Sequence, residues 1–389
     1  MNSWAVVLSM GRDPRTGKKV QKWIGGLKTL REAQAKRAQV LVDLQAGTWT
    51  APTRLSTGEY LERWLQDYAK GACGPVTLRG YEAIIRRHFI PALGHIPLAR
   101  LGPQAIQRYY SEVLAREVKR EGGMRPVTTT TVHAHHRLLR TALGHAVRWG
   151  HIARNPASMT NPPRPARRKV TVWDSEQVRL FLGEARRTSR YHALYLTALL
   201  TGMRQGELLG LRWQDVDFPT RTATIRQTYY RLGRERFFKS PKTTGSERAV
   251  HLPEAVVTAL QQVRDDQQEA KRFLGDGYAH DLDLVFCQPN GQPHNAHNLT
   301  QRDFRRIQQQ AGLPLVRFHD LRHAHASYLA LAGVSPKVAQ ERLGHATPDF
   351  TMRVYTHTLA GAQEKAAADV EAYLLGRAES QPEPDGIAS

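Results

Sequence analysis

The chain has 389 residues, enough for two or three domains with cores of their own. Lys plus Arg number 56 against 35 Asp plus Glu, and the net charge of +21 points to a polyanionic partner, because each phosphate that a cation neutralises releases condensed counterions. No apolar run approaches the roughly 18–20 residues that span a bilayer, and two cysteines, Cys73 and Cys287, exclude a disulfide framework or a Cys-rich zinc site.

The chain opens without a charged-then-apolar leader pattern and reads as cytoplasmic. Both cysteines read as small buried residues. "WAVVLSM" (4–10) and "VQKWIGG" flank a Gly- and Pro-containing turn and predict an antiparallel pair. Thr29 and Glu32 have capping-box spacing, which opens a helix to about Gln45.

Residues 52–158 read as all helical. Ser56 and Glu59 form a second capping box, and "VTLRGYEAIIRRHFIPALG" and "GPQAIQRYYSEVLAREVKR" carry apolar residues at helical spacing. A last helix runs from a Thr cap through "TTTTVHAHHRLLRTALGHAVRWG" to Gly150. The expectation is a bundle of four or five helices. His135, His136 and Arg137 are read either as phosphate contacts or as a solvated face.

"NPPRPARRK" (161–169) combines prolines with basic residues and predicts an extended linker over 159–169. A second large domain follows over 170–378. Helical patterns at 174–187 and 191–212 precede residues 221–253, whose alternating β-branched and aromatic residues predict a small antiparallel sheet. Helices return at 254–274, 297–311, 319–332 and 336–343, and the tail at 379–389 reads as disordered. The fold class expected is mainly α with small antiparallel sheets.

"RFHDLRHAHASYLA" (317–330) puts two Arg and three His into nine positions. A metal reading rests on His319 and His323, four apart with Asp320 beside the first. It is weak, because Arg322 shares the helix face of His319 and would repel a dication. A phosphate reading uses that same face.

The phosphate reading gains from the rest of the domain. "TGMRQGELLGLRW" holds Arg204 and Glu207, "FKSPKTTGSERAVHLP" holds Lys242, "HDLRH" holds His319 and Arg322, "LGHA" holds His345, and "FTMRVYTHT" holds Tyr355. In that order and in those phrases the chain resembles the tyrosine recombinases, the phage-integrase family of site-specific DNA recombinases. The resemblance implies that Tyr355 is the nucleophile, giving a 3′-phosphotyrosine and a free 5′-hydroxyl. Arg204 and Arg322 would fork donors onto the non-bridging phosphate oxygens. His319 would accept the tyrosine proton or help hold the phosphate, His345 would hold a phosphate oxygen, and Lys242 would protonate the leaving oxygen. Glu207 would orient its basic neighbours. Lys239 and Arg248 are rivals to Lys242. Of the extra histidines, one of His323 and His325 is expected to pack and the other to face solvent, and Tyr328 is expected in the core. No cofactor or metal is implied, since the arginines supply the positive charge.

The same resemblance implies an arm-site DNA-binding module at 1–50, a core-binding bundle at 52–158 and a catalytic domain at 170–378. It departs from the family pattern in one respect, since only two strands fit before Thr29. A helix at 359–377 is expected to link subunits. The partners implied are double-stranded DNA attachment sites, three further copies in a homotetramer, and a host DNA-bending protein and an excision factor, in the bacterial cytoplasm at the nucleoid. The function implied is integration and excision of a phage or mobile element through a Holliday junction. The competing readings are a chromosome- or plasmid-resolving recombinase, a type IB topoisomerase, and an architectural DNA-binding protein without catalysis.

Overall fold

The computed structural model describes residues 3–12, 16–45, 55–120, 123–165, 171–233, 235–239 and 247–344, together with Glu371 and Leu374. The chain divides into two units, Met1–Arg168 and Lys169–Ser389. The division falls within the basic, proline-rich stretch.

In the first unit, β1 (Trp4–Arg12) pairs antiparallel with β2 (Lys19–Leu27), with Val7 opposite Trp23. Alternation turns Val6 and Leu8 inward, where they pack with Ala33 and Val40 of α1 (Leu30–Gln45). The cap expected at Thr29 is present, since its hydroxyl accepts the Glu32 N–H at 3.2 Å.

The bundle starts at α2 (Thr57–Trp64), which continues through a π-helical turn, Leu65–Ala69, into Lys70–Ala72. Ser56 and Glu59 close their capping box, with the carboxylate taking the Ser56 N–H at 2.8 Å. Next come α3 (Pro75–Ile84), which also runs on through a π-helical turn, α4 (Pro103–Leu114) and α5 (Thr129–Arg148). Tyr60, Trp64, Phe89, Tyr109 and Leu139 fill the core between them.

This segment is not all helical. A hairpin, β3 (Glu117–Arg120) with β4 (Gly123–Pro126), replaces the end of the helix expected through residue 120. Glu, Lys and Arg favour a helix, but Gly122 and Gly123 favour a reversal, and strand pairing then satisfies the backbone.

His135 and His136 are neither phosphate contacts nor a solvated face. Both are buried, with Nδ1 2.7 Å from the Tyr109 hydroxyl and 2.8 Å from the Tyr110 hydroxyl respectively. Burial, and then the His88 charge, push His135 down to about 4. A histidine depressed below its ordinary value of about 6.5 contributes stability that is whole above that value and is lost as pH falls toward 4. Acidification through this window therefore costs the bundle at most about 3 kcal/mol at this residue. Hydrogen exchange over 129–148 at pH 7.5 and pH 5 checks this, and equal protection at both would refute it.

The second unit begins with α6 (Ser175–Thr188), capped by Asp174. The single helix expected over 191–212 is broken: α7 (His192–Thr201) stops at Gly202, whose φ of +66° is left-handed, and α8 (Gln205–Gly210) starts in a new direction. Strands β5 (Val216–Asp217), β6 (Thr222–Ile225) and β9 (Arg248–His251) form one antiparallel sheet. Between β6 and β9, β7 (Thr228–Leu232) and β8 (Glu235–Lys239) make a separate ribbon with Tyr230 opposite Phe237.

Then follow α9 (Glu254–Leu274), α10 (Arg305–Gln310), α11 (Phe318–Leu331) and α12 (Pro336–Leu343). Trp173, Phe181, Tyr195, Phe304 and Phe318 form an aromatic centre to which α11 is anchored. Cys73 and Cys287 are half-buried, not buried as expected. Among the described residues no helix is long and apolar enough to cross a membrane.

Candidate active site

Two helix starts and one helix end converge. Arg204 is the N-cap of α8, and Glu207, three residues on, takes its backbone N–H at 2.8 Å and its guanidinium at 2.7 Å. Arg317 and Asp320 open α11 the same way, with the carboxylate accepting the Arg317 N–H at 2.9 Å and its guanidinium at 2.8 Å. An acid at this position satisfies an orphan N–H and complements the helix dipole. Asp320 is therefore committed to a cap. The zinc reading had used it as the acid beside His319, whose ring lies edge-to-face with His323 at 5.0 Å.

The helix end is that of α12, whose last carbonyls have no partner within the helix. Guanidinium groups supply the donors. Arg204 donates to Gly344 O at 2.9 Å, Arg248 to Arg342 O at 2.9 Å, and Arg322 to Leu343 O. Arg322 also donates to Gly202 O at 2.7 Å, across the break between α7 and α8. Two of its N–H groups are thus spent on main-chain oxygens, leaving the other donors of the guanidinium for an anion.

Three guanidinium groups near one carboxylate leave the cluster with a net positive charge. Arg322 is 3% exposed; its burial, and then the Arg204 charge, bring its pKa down to about 9, so it stays charged at neutral pH. For Glu207, burial alone would favour the neutral acid, but hydrogen bonds and charge from Arg248 and Arg204 prevail and hold it at about 2. His319 stands at the surface one turn before Arg322. The protein packed beneath it, and then the Arg322 guanidinium, lower its pKa, which favours the neutral imidazole a proton acceptor needs.

Arg204, Glu207, His319 and Arg322 are thus brought into one neighbourhood. Lys242, His345 and Tyr355 lie outside the described residues, as do the tail at 379–389 and all of the expected helix 359–377 except Glu371 and Leu374. His325 is buried and His323 half-buried, so neither is the solvent-facing residue expected. Tyr328 is half-buried, and its hydroxyl donates to Trp173 O.

Sequence reasoning missed two contributors. One is Arg248, weighed only as a rival to Lys242, which instead forks onto Glu207 at 2.9 and 3.1 Å. Its signal was its phase: in β9 it alternates inward with the buried Val250. The other is Arg342, which donates to His325 Nε2 at 3.2 Å, while His325 Nδ1 lies 2.8 Å from Leu199 O. With Arg342 as donor, the neutral ring carries its proton on Nδ1 and gives it to Leu199.

The site falls inside a family match. Residues 172–361 match the phage integrase family, residues 57–114 its N-terminal SAM-like domain, and residues 1–44 the arm DNA-binding domain. The chain belongs to the phage integrase family of tyrosine recombinases. It is a tyrosine-type site-specific DNA recombinase.

The recombinase is 29% identical over 374 residues to a tyrosine recombinase XerC-like protein of Caldanaerobacter subterraneus subsp. tengcongensis, covering 92% of each chain. Among solved structures, the Tn1549 transposon integrase in complex with a circular intermediate DNA superposes with a TM-score of 0.66 at 23% identity, over 82% of this chain and 99% of that one. A lambda integrase tetramer bound to a Holliday junction gives 0.55 at 19% identity, over 88% and 90%. At these identities the likeness is one of fold. The arm-domain match covers the module in which two strands are described, so the departure in strand number does not remove this module from the family.

Proposed function

We propose that this recombinase cuts and rejoins duplex DNA at attachment sites through a phosphotyrosine at Tyr355, acting as a tetramer that passes through a Holliday junction to integrate and excise a phage or mobile element. In this reading 1–50 binds arm sites, 52–158 binds the core site, 159–169 links them to the catalytic domain at 170–378, and 379–389 is a tail. A host bending protein and an excision factor set direction. The observation that carries the proposal is the convergence of Arg204 and Arg322 on the end of α12, with neutral-leaning His319 beside them.

Exchange without an energy source must keep the energy of the phosphodiester in a covalent bond, so a side chain is the nucleophile. Tyr355 Oη attacks phosphorus, the bond to the 5′-oxygen breaks, and the DNA is left with a 3′-phosphotyrosine and a 5′-hydroxyl. Arg204 and Arg322 hold the charge gathering on the non-bridging oxygens. His319 takes the tyrosine proton, His345 bonds a phosphate oxygen, and Lys242 gives a proton to the leaving oxygen. Glu207 keeps Arg204 in place.

The test uses DNA flanking the gene in its native setting, nicked beside the crossover so that the cut strand is lost. A DNA-linked protein band on a denaturing gel, mapped to Tyr355 by mass spectrometry and absent in Tyr355→Phe, is the expected result. Tight binding with no adduct would favour the architectural reading, and an adduct on another residue would overturn the assignment.

A further inference from the structure

Glu207 carries one negative charge, yet two guanidinium groups contact it, and they differ in kind. The Arg204 side chain is 37% exposed and that of Arg248 only 7%. Arg204 gives one prong to Glu207 Oε1 at 2.7 Å and sends its other nitrogen to Gly344 O. Arg248 gives both prongs, to Oε1 at 3.1 Å and Oε2 at 2.9 Å, and its Nε holds Arg342 O. The paired fork is the stronger arrangement, and the buried setting makes it the one least screened.

We infer that Arg248 is a positioning residue for strand cleavage: as the dedicated counterion of Glu207 it leaves the charge of Arg204 for the scissile phosphate, and it fixes the turn that leads into His345. This rests on the recombinase reading above.

Without Arg248 the guanidinium of Arg204 would be the only one left in contact with the buried carboxylate among the described residues, and the carboxylate would draw it inward, away from DNA. The electrostatic half of the argument is therefore separable from packing, since neutralising Glu207 should undo it. The turn is held by contact as well: Gly344 has φ +62°, and a Cβ there would come within 2.9 Å of Arg248 Nη1.

The test compares full-length wild type, Arg248→Met, Glu207→Gln and the double variant on the nicked site, reading DNA affinity and single-turnover adduct formation separately. Arg248→Met should bind DNA as wild type does and form adduct roughly 100-fold more slowly, the size of loss a misplaced catalytic group gives. The double variant should be faster than Arg248→Met by about tenfold, because no buried charge then competes for Arg204. Arg248→Lys, which keeps the charge but not the fork, should fall between and serves if Arg248→Met does not fold. A double variant no faster than Arg248→Met would overturn the inference, as would parallel losses of binding and cleavage or full activity in Arg248→Met. Absence of adduct in wild type would instead sink the recombinase reading itself.

Discussion

Replacing Arg322 by Ala should lower single-turnover cleavage by at least about 100-fold, the loss typical of removing one preorganised donor from a developing oxyanion. The same change should destabilise the second unit by about 2–3 kcal/mol. Arg322 is 3% exposed and serves the carbonyls of Gly202 and Leu343, and its removal leaves buried acceptors unpaired. Arg204 and Arg248 lie close enough for their charges to oppose that of Arg322, and relief of this repulsion offsets part of the loss. Arg322→Lys separates the two effects. A lysine keeps the charge but cannot reach two carbonyls and a phosphate from one planar fork. It should melt closer to wild type and still cleave poorly. Thermal melts beside adduct assays on the nicked site decide the matter, and an Arg322→Lys protein cleaving at the wild-type rate would remove the fork from the mechanism.

What could be read in advance follows from how local each signal is. The caps at Thr29 and Ser56 and the helix at 254–274 depend on neighbours within a few residues, and they stand as spaced. The order of Arg204, His319 and Arg322 was legible because each sits in a short phrase. The breaks were harder. "SEVLAREVKR" is rich in helix formers, and only the Gly-Gly after it hints at the hairpin, whose stability depends on cross-strand bonds. The apolar run at 191–212 keeps helical spacing across Gly202, so periodicity alone passes over the break.

Partners distant in sequence were illegible. Tyr109 and Tyr110 meet histidines 26 residues on, and Glu207 meets Arg248 41 residues on. In both cases the cue was a polar residue in an inward phase, which implies a partner without naming it. A list of basic residues thus located the site but did not reveal how its charge is balanced.

Gly202→Ala is the second change with a large expected effect, and here the geometry leaves little room. The left-handed φ of +66° costs an alanine about 1–2 kcal/mol. The new methyl carbon would sit 2.7 Å from Cδ2 of His325 and 2.7 Å from a methyl of Leu343. Neither can swing aside easily: His325 is engaged at both ring nitrogens, and Leu343 is fully buried at the end of α12. Overpacking of this kind adds about 1–3 kcal/mol.

The total, roughly 2–5 kcal/mol, should lower the melting point of the second unit by about 5–15 °C. Cleavage should fall further than stability alone requires, because the Gly202 carbonyl holds Arg322 and Arg204 follows two residues later. Hydrogen exchange should therefore show lost protection in 192–210 and 318–343, with 129–148 unchanged. Gly202→Asn tests which term dominates, since asparagine tolerates the left-handed region but carries the same Cβ. If the close approach governs, Asn should be no better than Ala. An Asn variant with wild-type stability and cleavage would show instead that the backbone angle alone requires glycine at this turn.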